Sequence, residues 1–125
     1  MAAGNPVIWF ELYVQDMERA KRFYEQVFQL ALERLSTPAD VNELWSFPMA
    51  HDKTGAGGAL VKMDGMTGSA GGTIVYFRCA DCAVEAARAV QFGGRIEKPK
   101  FSIGQYGNIA LVRDTEGNMI GLHSM

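Results

Sequence analysis

Glu11 is a charge set inside an aromatic strand pattern, Val7-Ile-Trp-Phe-Glu-Leu-Tyr-Val14. Alternation along a strand turns Trp9, Glu11 and Tyr13 to one face. A carboxylate stripped of water among rings binds a proton more readily, which suits general acid or base work. The run Thr73 to Cys79 repeats the pattern, with Ile74, Tyr76 and Arg78 sharing a face. Gly121 and His123 share a face at the end of the last apolar run. Together these positions supply an indole, two phenols, a carboxylate, a guanidinium and an imidazole, the composition of a small-molecule pocket. Glu11 and His123 are the candidate catalytic residues, a carboxylate and an imidazole able to move a proton between them. Trp9, Tyr13, Tyr76 and Arg78 are the candidate ligand-binding residues. Blander readings stand beside these. Glu11 pairs with Arg78 or a backbone donor, His123 is a solvated terminal histidine, and the Arg78 stem lies over rings with its head in water. His51 falls in a turn and reads as solvated.

Other reactive patterns carry less. Cys79-Ala-Asp-Cys82 has the spacing of a redox pair at a helix start, where a thiol pKa is lowered. Two cysteines do not complete a structural zinc site, and cysteine is often a small buried hydrophobe. The glycine-rich segments 55–58 and 65–72 lack the Lys-Ser/Thr and the following helix of a phosphate loop.

The elements that position these residues come in two similar sets. Val7 to Val14 reads as a strand, and Asp16 stands where it caps a helix with Ala20, Phe23, Tyr24 and Phe28 on its apolar face. Leu30 to Leu35, Glu43 to Phe47 and Ala59 to Met63 read as three further strands. The order then repeats. Thr73 to Cys79 is a strand, and Asp81 caps a helix through Val84, Ala87 and Val90 that ends at Gly93-Gly94. Arg95 to Glu97 opens a strand, Lys98 to Gly107 is a loop, and Asn108 to Val112 and Met119 to His123 are strands around an acidic turn. Asp16 matches Asp81, and Asp52-Lys-Thr-Gly55 matches Asp114-Thr-Glu-Gly117, at a nearly constant offset. The fold class expected is α+β: one domain over residues 1–125, built of two βαβββ modules, 5–64 and 72–125, joined by a glycine-rich linker at 65–71.

The run Phe10-Glu-Leu-Tyr-Val-Gln-Asp16, with Arg19-Ala20 and Phe23-Tyr24, resembles the opening of a vicinal oxygen chelate module. That superfamily includes glyoxalase I, extradiol dioxygenases and bleomycin- or fosfomycin-resistance proteins. The ending Asp114-Thr-Glu-Gly-Asn-Met-Ile-Gly-Leu122 resembles the family's closing motif. The resemblance implies a U-shaped mixed sheet around a concave cavity that holds a divalent cation (Zn, Ni, Mn or Fe), with one ligand from each of four strands. Carried onto this chain, the ligand positions fall on Trp9, Ala59, Ile74 and Gly121. None has a side chain that binds a cation. No cofactor is therefore expected, with a metal held by other residues left open.

The chain has 125 residues, 48% hydrophobic, with a formal charge of −2. That size and balance suit one compact domain. The absence of a basic block argues against nucleic acid as a partner. No apolar run reaches the ~20 residues that span a bilayer, and no secretory leader is evident, so a cytoplasmic protein is expected. Exposed strand edges point to a homodimer. The leading reading is a protein that binds a small organic molecule in an aromatic cavity without the usual metal. The alternative is a glyoxalase-like lyase, isomerase or dioxygenase acting on a vicinal-oxygen substrate. A third is a fold kept as an interaction module.

Overall fold

The structure is a computed structural model describing residues 4–38, 41–50, 52, 54–66 and 72–125. The chain divides into two compact units, one of Trp9–Thr73 and one of Ile74–Met125 with the residues up to Ile8. Each is a four-stranded mixed sheet with one helix, so the βαβββ order holds in both. His51 and most of the expected linker lie outside the described residues.

In the first unit, β1 (Val7–Tyr13) leads to α1 (Met17–Phe28), then β2 (Glu33–Arg34), β3 (Glu43–Ser46) and β4 (Gly57–Lys62). The strand order is β2-β3-β4-β1, with β1 parallel to β4 and the other pairs antiparallel. Asp16 caps α1 by accepting from the Arg19 N–H at 3.0 Å. The even-numbered residues of β1 meet the helix. Leu12 and Val14 join Met17, Leu32 and Leu60 in the core, and Phe10 packs on Phe47 with ring centroids 5.6 Å apart. β2 is shorter than expected because the Leu32 N–H is taken by the Glu25 carboxylate at 2.9 Å, which turns Leu32 into the core instead of the ladder.

The second unit runs β5 (Thr73–Arg78), α2 (Cys82–Gln91), β6 (Arg95–Ser102), a short 3-10 turn (Gly104–Tyr106), β7 (Asn108–Arg113) and β8 (Met119–Ser124). Its order is β5-β8-β7-β6, with β5 parallel to β8. Asp81 caps α2 through the Ala83 N–H at 3.0 Å. Cys82, Ala86, Ala110, Val112 and Leu122 form its core, with Phe77 and Ile120 packed against them. Lys98 to Ser102, expected as loop, is instead strand, because β6 lies outermost beside β7. There Pro99 needs no partner for a missing N–H, and irregularities between Ile96 and Lys98 and between Lys98 and Phe101 absorb the misfit.

Candidate functional site

Because the even residues of β1 face α1, the odd ones emerge on the helix-free face. There Glu11 accepts two hydrogen bonds from its own strand. The Trp9 indole donates from Nε1 to Oε2 at 3.2 Å, and the Tyr13 hydroxyl donates to Oε1 at 2.7 Å. Both donors sit two residues away, a distance that only strand geometry brings to the same side. The carboxylate thus links an indole and a phenol, two bulky groups whose polar ends need partners once covered. Small side chains flank this line: Trp9 lies beside Gly57, and Glu11 beside Ala59, which in turn neighbours the buried Ser46. The expected grouping of Trp9, Glu11 and Tyr13 is present, and Glu11 is hydrogen bonded within it.

The second unit follows the same rule. Phe77 and Cys79 pack toward α2, so Ile74, Tyr76 and Arg78 take the other face. Register sets Tyr76 beside Gly121 and Arg78 beside His123. Tyr76 is buried, and its ring covers Gly121 so closely that a Cβ there would stand 2.2 Å from Cδ2. Arg78 is exposed. His123 is half-buried, and its Nε2 lies 2.6 Å from the Tyr106 carbonyl oxygen. That oxygen only accepts, so Nε2 carries the proton, and in the neutral ring Nδ1 holds the lone pair. Side-chain reasoning missed Tyr106, because its contribution is a main-chain atom. The only sequence signal was the Tyr106-Gly107 pair inside a segment read as loop.

The cysteines follow the blander of their two readings. Cys82 is buried in the core of the second unit. Burial, together with the charge of Glu85, pushes the Cys79 thiol up to about 11. A redox cysteine needs the opposite shift. Glu85 also keeps one oxygen, Oε1, buried without a hydrogen-bond partner. The open depression along α2, lined by Ala83, Val84, Ala87, Arg88 and Gln91, lies on the helix side of its sheet and gathers no comparable chemistry.

The family model of the Glyoxalase/Bleomycin resistance protein/Dioxygenase superfamily matches residues 7–122, and the chain belongs to that superfamily. No curated protein sequence matches it. Among solved structures it is similar to methylmalonyl-CoA epimerase from Mycobacterium tuberculosis, with a TM-score of 0.68 and 15% identity over 99% of this chain and 91% of that one. A hypothetical protein of Bacillus halodurans superposes with a TM-score of 0.71 at 9% identity, covering 95% and 93%. A variant of Streptomyces coelicolor methylmalonyl-CoA epimerase, in complex with 2-nitronate-propionyl-CoA, gives 0.65 at 15%, covering 98% and 95%. At such identities the likeness is one of fold.

The superfamily implies a divalent cation, and the side chains at the positions onto which the resemblance carries its ligands do not fit one. Trp9, Ala59, Ile74 and Gly121 offer no donor atom suited to a cation. Ala59 and Ile74 are buried, and the space above Gly121 is filled by the Tyr76 ring. Among the described residues, no group of three or more His, Cys, Asp or Glu converges elsewhere. Nor, among them, is any helix long and apolar enough to cross a membrane.

Proposed function

We propose that this chain binds a small organic molecule on the helix-free faces of its sheets, without the divalent cation usual in its superfamily. The observation that carries the reading is the Glu11 carboxylate between Trp9 and Tyr13. Its two hydrogen bonds orient an indole and a phenol as a preformed aromatic surface, which reduces the ordering cost of binding. Tyr76 and Arg78 play the corresponding part in the second unit. The ligand leaves unchanged. A cytoplasmic homodimer belongs to the same proposal.

Indole fluorescence tests it, in a Trp45→Phe background so that Trp9 alone reports. A library of planar organic compounds is titrated into metal-depleted protein. Saturable quenching, weakened by Trp9→Ala when binding is followed by calorimetry, supports the reading. Unchanged affinity in Trp9→Ala removes that surface from the site. Elemental analysis after loading with Zn, Ni, Mn and Fe in turn tests the metal-free part, and one retained ion per chain overturns it. Sedimentation equilibrium decides the dimer.

The second reading, a glyoxalase-like lyase, isomerase or dioxygenase, draws on His123. The Tyr106 carbonyl holds its Nε2–H, which leaves Nδ1 as the atom to take a proton from a substrate. In this reading Glu11 and His123 are the catalytic residues. Turnover of an α-hydroxycarbonyl compound that survives both Glu11→Gln and His123→Asn would sink it.

A further inference from the structure

The helix-free face of the second unit carries several cations, and they differ in what holds them. Arg95 and Arg113 share the Glu97 carboxylate at 2.7 and 3.0 Å. Lys98 stands over the Phe101 ring at 4.1 Å. Arg78 is fixed through its main chain, whose N–H reaches the Pro6 carbonyl at 3.0 Å. Its guanidinium has no hydrogen bond or ion pair among the described residues. A guanidinium placed on a sheet face beside an imidazole, with its donors unused, is equipped to hold an anion.

Its surroundings narrow the anion. Register sets Arg78 beside His123, His123 beside Ile109, and Ile109 beside Phe101. One row across the sheet thus reads guanidinium, imidazole, aliphatic, phenyl. The guanidinium grips a carboxylate through two parallel donors. His123 presents the reverse polarity, because Tyr106 engages Nε2–H and the neutral ring offers the Nδ1 lone pair. It therefore asks for a donor on the ligand. Adjacent strands lie about 4.8 Å apart, close enough for two side chains to engage groups on neighbouring carbons. Ile109 and Phe101 continue the row beyond these two polar groups, with the Lys98 ammonium 4.1 Å from the Phe101 ring centroid.

We infer that the Arg78–His123–Ile109–Phe101 row recognises a 2-hydroxy carboxylate with an apolar or aromatic tail. The carboxylate lies on Arg78, the hydroxyl donates to His123 Nδ1, and the tail lies over Ile109, reaching toward Phe101. This rests on reading the helix-free faces as ligand surfaces. It goes further by naming the chemical class and the atom that selects it. A phosphate fits less well: its hydroxyl can donate to His123 Nδ1, but it carries nothing to lie over Ile109.

The test is calorimetric titration of the full chain at pH 8 with four probes: 3-phenyllactate, 3-phenylpropanoate, 3-phenyllactamide and inorganic phosphate. Phenyllactate is expected to bind at least about tenfold more tightly than the amide lacking the charge, the discrimination of one charge-assisted hydrogen bond, and about fivefold more tightly than the acid lacking the hydroxyl, that of one neutral hydrogen bond. Arg78→Gln should abolish the preference over the amide. His123→Phe should abolish the preference over 3-phenylpropanoate while keeping the preference over the amide. Circular dichroism confirms that each variant is folded, and Arg78 is exposed. Equal binding of phenyllactate and its amide by the native chain overturns the inference, and so does phosphate binding as tightly as phenyllactate. If no phenyllactate binds while neutral aromatic compounds still quench Trp9, the inference fails and the ligand-surface reading survives. If neither occurs, both fall.

Discussion

Tyr76 and Gly121 lie side by side across the β5–β8 ladder, and the ring of one fills the volume a side chain on the other would need. Gly121 is also one of the four positions onto which the resemblance to the superfamily carries a metal ligand. A side chain placed there would have to displace the Tyr76 ring.

Gly121→Ala is accordingly expected to destabilise the protein by about 1–3 kcal/mol, the usual cost of overpacking. Urea unfolding measures it. In a double-mutant cycle, Gly121→Ala combined with Tyr76→Ala should recover part of the loss, since neighbours in contact are not additive. Gly121→Glu should acquire no tightly held ion while Tyr76 is present. An ion retained by that single variant would refute the packing argument.

Glu11→Leu removes both acceptor oxygens. The Trp9 indole N–H and the Tyr13 hydroxyl then lose the carboxylate they share. The loss should cost about 1–3 kcal/mol. The Trp9 emission maximum should shift in a Trp45→Phe background. Unaltered stability together with unaltered emission would mean that Glu11 does not orient the aromatic pair.

Cys79 should be a slow nucleophile. With the thiol pushed up to about 11 by burial and by Glu85, it holds about 100-fold less thiolate near neutral pH than a thiol at its ordinary value of 9. Iodoacetamide modification at pH 8, followed by mass spectrometry, should lag far behind a model peptide. Glu85→Gln removes a negative charge, lowers the thiol pKa and should accelerate the reaction. Rapid alkylation of the native chain would reopen the redox reading of the Cys79–Cys82 spacing.

The acid limb of stability should be set by four surface carboxyls held below the usual range. Asp16 is held by the Arg19 N–H, Asp81 by Lys100, Asp114 by Asn118 and Glu97 by Arg95. A depressed folded-state pKa gives stability that is complete above the unfolded value, about 4, and is lost as pH falls through the folded one. The urea midpoint should therefore stay flat from pH 7 to about 5 and decline below about 4. Asp114→Ala should start lower at pH 7 and lose less between pH 4 and 2. A parallel decline in that variant would show that Asp114 contributes nothing to the pH dependence.

The parts of this fold that could be read in the sequence are those where one residue type serves one purpose. Asp16 and Asp81 mark both helix starts, since a carboxylate before an apolar periodic run satisfies otherwise unpaired N–H groups. The alternation of β1 and β5 gave the faces of Trp9, Glu11, Tyr13, Tyr76 and Arg78. Long-range geometry hid the rest. Pro99 argued for a loop because nothing local says that β6 is outermost, where a missing N–H has no consequence. Leu30 to Leu35 suggested a full strand because the reach of Glu25 to the Leu32 N–H is a tertiary contact. The cysteine spacing suggested reactivity until burial set the thiol in the opposite direction. For the candidate site, the side chains were legible, but the hydrogen bonds that fix Glu11 and His123 were not.

The partner of His123 is a peptide carbonyl, and that changes what mutation can do to it. No substitution at position 106 deletes a main-chain oxygen, so the tautomer of the imidazole is insulated from drift in the neighbouring side chain. The vulnerability moves one residue along. Gly107 has φ +104, and a Cβ there would stand 2.6 Å from the Ser124 carbonyl oxygen and 3.2 Å from His123 Nε2. The inherited instruction for which ring nitrogen bears hydrogen is therefore written at a residue with no side chain. A substitution at Tyr106 leaves the accepting oxygen in place, while one at Gly107 reaches the ring itself.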